Sequence, residues 1–161
     1  MIRITDQYFW NFIFSVFFIV LLSLGAIVLE TEARMNLAEL TIIDYVIITL
    51  ATWRLIRLFV YDAITKFLRE QFYDAVKTKS GYQLEKPARG PRRTIADLFS
   101  CPWCMGVWLG ALVVFFYLLS PYAVFPLVVL AISAPATFFQ ILTNQVGHRA
   151  EQLKNQNERG F

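Results

Sequence analysis

The sequence predicts an all-α integral membrane protein with four transmembrane helices, both termini on the inner side, and an amphipathic cytoplasmic helix between the second and third spans. Three observations point there. The chain is 57% hydrophobic and 17% charged, against roughly 45–50% and about 25% in soluble domains. The apolar residues gather into four long runs. Lys and Arg are confined almost entirely to one alternating set of the segments between those runs. At 161 residues the chain forms a single membrane domain.

Residues 10–29 hold no charged residue, and twenty helical residues extend about 30 Å, the thickness of a bilayer core. This run exceeds a signal-peptide core and lacks a small-residue cleavage pattern, so it is expected to be retained. The second span covers residues 40–61 and contains Arg54 and Arg57 near its far end. The third covers residues 102–119 and the fourth residues 123–142, joined by the tight turn Ser120-Pro121-Tyr122. A polar tail, residues 144–161, is expected to fray at its end.

Orientation follows from the cations. The 62–100 loop carries Lys66, Arg69, Lys77, Lys79, Lys86, Arg89, Arg92 and Arg93, and the tail carries Arg149, Lys154 and Arg159. The opposite side has Arg34 alone. The positive-inside rule therefore sets both termini and the long loop in the cytoplasm. The basic balance, net charge +3, suits anionic lipid headgroups. Nucleic acid is not an expected partner, because the basic patch at residues 88–93 lacks interleaved aromatic residues.

Within the loop, Ile64, Phe67, Leu68, Phe72, Ala75 and Val76 recur at steps of three and four, which predicts an amphipathic helix over residues 62–76. Residues 77–94, with Gly81, Pro87, Gly90 and Pro91, read as a flexible loop.

Two constellations carry potential chemistry. Cys101 and Cys104, the only cysteines, open the third span, with Ser100 as an N-cap candidate and Pro102 in the first turn. A Cys-X-X-Cys pair admits three readings. It is the spacing of a thiol-redox centre, although no second pair is present to relay electrons and the topology sets the sulfurs on the reducing side. It is half of a structural zinc site, which needs four ligands and so would be shared between chains, the lone His148 being a tail residue. Or it is a structural junction of reduced thiols flanked by Trp103 and Trp108 as interface anchors. The second constellation is Arg54 and Arg57, three apart on a helix and sharing a face with Tyr61. An intramembrane charge suggests function by default. Both lie at the cytoplasmic end, however, where guanidinium groups snorkel to phosphates or pair with Asp62 or Asp97; an anion path is the sharper alternative. Asp44 falls near the outer interface, and Asp97 is a candidate cap before the third span.

Two stretches together resemble a known family. They are 50–62, Leu-Ala-Thr-Trp-Arg-Leu-Ile-Arg-Leu-Phe-Val-Tyr-Asp, running on to Ile64, Thr65 and Arg69, and 98–108, Leu-Phe-Ser-Cys-Pro-Trp-Cys-Met-Gly-Val-Trp. They are similar to domain of unknown function 1360, a bacterial and phage membrane family that includes a sporulation-labelled member. The resemblance covers residue 45 to the end of the fourth span. It implies that Arg54, Arg57, Asp62, Cys101 and Cys104 act together, and it implies no activity.

No complete catalytic set is visible, so the chain is expected to be a non-enzymatic scaffold or assembly component, homo-oligomeric or part of a larger membrane assembly. No resident cofactor is expected beyond a zinc shared between chains. A thiol-redox or zinc-binding membrane protein using Cys101 and Cys104, and a small holin-like pore, are the alternatives.

Overall fold

The computed structural model describes residues 6–78 and 81–159. Six helices dominate it: α1 (Asp6–Glu32), α2 (Ile42–Val60), α3 (Lys66–Glu70), α4 (Pro91–Ser100), α5 (Pro102–Leu119) and α6 (Pro121–Arg159). Short 3-10 turns, Leu37–Glu39 and Ala63–Thr65, precede α2 and α3. One antiparallel hairpin, β1 (Asp74–Thr78) and β2 (Gly81–Glu85), is the departure from an all-helical chain.

Among the described residues, three helices are long and apolar enough to cross a membrane: Gln7–Glu32, Pro102–Leu119 and Pro121–Gln156. The helix α2 has comparable length but carries Asp44, Arg54 and Arg57. It packs mainly against α6 and α5. Its Ile48 and Ala51 join Val113, Tyr117, Leu127 and Ala131 in the buried core. Small residues let α2 and α5 approach closely. A Cβ on Gly106 would lie 3.1 Å from Ile56 Cδ1, and one on Gly110 would lie 3.7 Å from Thr52 Cγ2. Gly106 and Gly110 thus form a Gly-x-x-x-Gly face.

The helix α1 lies at the edge of the bundle, against α5 and α4. Phe18 packs on Trp108 with ring centroids 4.6 Å apart. Its start reaches α4, where Gln7 donates to Thr94 Oγ1 at 2.8 Å and Thr94 donates to Asn11 Oδ1 at 3.0 Å. Its end reaches the end of α5, where the Arg34 N–H donates to the Leu118 carbonyl at 3.0 Å. Hence one end of the bundle gathers the start of α1, the close of α2, α4 and the start of α5. The other gathers the close of α1, the start of α2 and the close of α5.

The segment between α2 and α5 is the main correction to the expected architecture. The helix predicted over residues 62–76 is confined to Lys66–Glu70, and Asp74, Ala75 and Val76 belong to a strand. Arg92 supplies a physical reason. It donates to the Gln71 carbonyl at 3.0 Å and the Tyr73 carbonyl at 3.4 Å, and it pairs with Asp74 at 3.0 Å. These contacts hold the chain in a turn where a helix would have continued. The apolar face survives the change, since Phe72 stacks on Phe99 at 5.7 Å.

The expected loop at residues 77–94 instead contains β2 and the start of α4. Gly90, at φ +96°, turns the chain in a region that disfavours side chains, and Pro91 opens α4. The amphipathic helix of this segment is therefore α4, with Arg93 and Asp97 on one side and Ile95, Leu98 and Phe99 on the other.

The tail is also helical. Helix α6 continues through Arg159, so residues 143–159 project about 25 Å beyond residue 142.

Candidate functional site

The last turns of α2 bring Arg54, Arg57 and Tyr61 to one face. The helix stops at Tyr61, whose N–H, like that of Asp62, donates to the Arg57 carbonyl, at 2.9 and 3.1 Å. Asp62 then takes an extended backbone, φ −72° and ψ 149°, and its carboxylate folds back along the helix. Arg54 Nη1 donates to Asp62 Oδ2 at 2.8 Å, and Arg54 Nε donates to Ser133 Oγ of α6 at 3.1 Å. Arg57 Nε stands 3.8 Å from Asp62 Oδ1, too far for a hydrogen bond, and is buried without a hydrogen-bond partner.

Helix α3 is pinned beneath this end. Arg69 donates to the Phe59 carbonyl at 3.0 Å and the Asp62 carbonyl at 3.1 Å, and the Thr65 hydroxyl donates to the Leu58 carbonyl. These groups satisfy carbonyls that a helix C-terminus leaves orphaned, and the guanidinium suits the negative end of the helix dipole.

A second ion cluster ties β2 to α4. Lys86 donates to Asp97 Oδ1 at 2.8 Å and to Ser100 Oγ at 2.6 Å. Arg93 donates to Asp97 Oδ2 at 3.0 Å and to the Pro87 carbonyl at 3.2 Å. Partial burial pushes the Asp97 carboxyl up, but the hydrogen bonds from Lys86 and Arg93 outweigh it and hold the group below its ordinary value of 3.8. Asp97 therefore anchors α4 by ion pairs, in place of the capping role expected of it. Arg92 and Arg93, read as part of a basic surface patch, are both engaged in ion pairs within the fold.

At the start of α5 the cap is Cys101, not Ser100. The Cys104 N–H donates to Cys101 Sγ at 3.2 Å, and Pro102 occupies the first turn. Ser100 closes α4, its hydroxyl donating to the Ala96 carbonyl at 2.8 Å. The two sulfurs face each other as a disulfide pair, with Cα atoms 5.3 Å apart. Among the described residues no three His, Cys, Asp or Glu side chains come together as a metal site.

The predicted constellation divides across the first turn of α5. On one flank an open cavity of about 380 Å³ is lined by Trp53, Ile56, Arg57, Tyr61, Pro102 and Trp103. On the other a groove of similar volume includes Cys104, with Phe14, Phe18, Thr94 and Trp108. Arg54, Arg57 and Asp62 are thus brought together, with Trp103 beside Arg57, while Cys104 faces α1.

Sequence reasoning missed a polar cluster at the opposite end. Asp44 and Thr41 form a reciprocal cap, Thr41 N–H donating to Asp44 Oδ2 at 2.8 Å. The Tyr117 hydroxyl also donates to Asp44, and Arg34 donates to the Tyr117 carbonyl at 3.3 Å. The Thr41-x-x-Asp44 spacing was the available signal for the cap; nothing local marks Tyr117 as its partner.

A bundle of long apolar helices with paired charges at its ends defines the chain as a helical protein of membrane character. It belongs to the family described as "Protein of unknown function (DUF1360)", whose model matches residues 47–143. The chain is 33% identical over 98 residues to UPF0713 protein YngL of Bacillus subtilis (strain 168), covering 59% of this chain and 74% of that protein. It is 32% identical over 107 residues to sporulation protein YjcA of the same organism, covering 62% of this chain and 90% of that protein. No solved structure matches significantly.

Proposed function

We propose that the chain is a four-span protein of the bacterial inner membrane, with both termini and the 62–100 segment in the cytoplasm, serving as a non-enzymatic scaffold or assembly component. The second span is α2, in addition to the three long apolar helices. Its charges do not bar it from the bilayer, because each is compensated or lies at a rim. Asp44 is held by Thr41 and Tyr117, Arg54 by Asp62 and Ser133, and Arg57 lies one turn from the helix end. The distribution of Lys and Arg supports the orientation.

One observation carries the assembly role. Helix α6 leaves the bundle as an exposed polar rod on which Val146 and Leu153, seven residues apart, are each 61% exposed. Apolar residues at that spacing form a stripe that a partner helix can cover. The sporulation name of one relative is compatible with an assembly role. A photocrosslinking residue at 146 or 153 is expected to capture one discrete partner, a second copy or another protein, and Leu153→Glu is expected to abolish it with membrane insertion intact. Turnover of a thiol, quinone or lipid substrate that depends on Cys101 or Cys104 would overturn the reading.

The second reading, a thiol-redox protein, is favoured by the Cys101–Cys104 bond beside the groove of Phe14, Phe18 and Trp108. Substrate-dependent cycling of that pair, lost on Cys101→Ser, would replace the scaffold reading.

A further inference from the structure

The arginine pair at the close of α2 is not balanced by its carboxylate. Asp62 gives Oδ2 to Arg54 at 2.8 Å, and its other oxygen stands 3.8 Å from Arg57 Nε without a hydrogen bond. One carboxylate faces two guanidinium groups, and Arg54 holds the better geometry. Arg57 is left with unsatisfied donor capacity and lines the open cavity between α2 and α5. The cavity's other lining residues, Trp53, Ile56, Tyr61, Pro102 and Trp103, include no carboxylate and no second basic side chain.

We propose that this cavity binds the headgroup of one anionic phospholipid, with the phosphate on Arg57. The proposal rests on α2 and α5 spanning the membrane. A guanidinium fork matches two phosphate oxygens, and about 380 Å³ is within the range of small-ligand sites. The first two residues of α5, Pro102 and Trp103, form one wall, so the positive end of that helix adds to the field.

The aromatic residues fix the depth. Trp103 is 85% exposed, with Tyr61 also exposed at the mouth, as amphipathic rings at the headgroup layer are. Ile56 and Trp53 continue the wall toward the apolar side, where acyl chains would run. A soluble anion would use the guanidinium but not that apolar wall.

Native mass spectrometry on the full chain, delipidated and offered equal phosphatidylglycerol and phosphatidylcholine with the same acyl chains, tests this. Wild type is expected to retain one phosphatidylglycerol per chain, and Arg57→Gln to weaken that retention about tenfold, the worth of one charge-assisted hydrogen bond. Arg57→Lys should keep part of it, and Lys66→Gln, on α3 and outside the cavity lining, should leave it unchanged. Trp103→Ala, at an exposed position the fold does not need, should also weaken it. Excess inorganic phosphate should not displace the lipid. Equal retention of the two lipids, retention untouched by Arg57→Gln, or displacement by phosphate would overturn the lipid site alone. Failure to retain either lipid, with failure to partition into vesicles, would overturn the membrane-spanning reading and the site with it.

Discussion

Asp62 matters at the residue scale because, among the described residues, it is the only carboxylate paired with the two arginines of α2, and it is only 25% exposed. Asp62→Asn leaves Arg54, itself 19% exposed, without its anion in a poorly hydrated position. The expected loss is about 2–3 kcal/mol, under the figure for a fully buried pair. Arg57→Gln is expected to cost less than about 1 kcal/mol, since its contact with Asp62 is long and unbonded. Denaturant unfolding in detergent checks the contrast, and equal costs would refute this division of labour. Asp97 gives a pH signature. Its folded value lies below 3.8, so its contribution is present above 3.8 and lost as pH falls through the lowered value. The stability gap between wild type and Asp97→Asn should be open at neutral pH and close in acid, in paired thermal melts. Arg54, Arg57 and Asp62 were legible in the sequence, because charges interrupting an apolar run stand out. Ser133 and Tyr117 were not, since an isolated hydroxyl in an apolar helix carries no local mark of its distant partner.

The elements divide by how local their determinants are. The helices α1, α5 and α6 follow from uncharged runs, and the start of α5 falls where Pro102 predicts it. The extra helical length of the tail escaped notice because its composition is polar, while its helix continues directly from the fourth span. The hairpin and α4 were hidden for a different reason. Residues 72, 75 and 76 fit an apolar helix face as well as they fit a turn and strand, and the Arg92 contacts that decide between them come from twenty residues onward. The packing of α2 on α5 is likewise non-local, although Gly106-x-x-x-Gly110 was a readable hint. Gly106→Ala is expected to cost less than about 1 kcal/mol, because the atom it meets, Ile56 Cδ1, ends a flexible side chain. Gly106→Leu should cost about 1–3 kcal/mol by forcing the helices apart. Equal melting temperatures for the two variants would show that the helices do not depend on close approach there.

For the molecule as a whole, the bundle encloses the span that is interrupted by charge, Asp44, Arg54 and Arg57 all lying within α2. Helix α2 lies between α5 and α6, while the uniformly apolar α1 sits at the edge. That order suits a bilayer, where apolar surface needs no cover and charge needs partners. Hydropathy alone ranks α2 below the others, so its crossing is the step on which orientation, the inner rim and the lipid site all depend. Single cysteines at Asn36, Tyr122, Arg89 and Gln145, introduced into a Cys101→Ser/Cys104→Ser background and probed in intact cells with a membrane-impermeant maleimide, test that crossing most directly. Residues 36 and 122 are predicted to label from outside, and residues 89 and 145 only after the membrane is opened. Labelling of residues 36 and 89 from the same side would contradict the account, because α2 would then not cross.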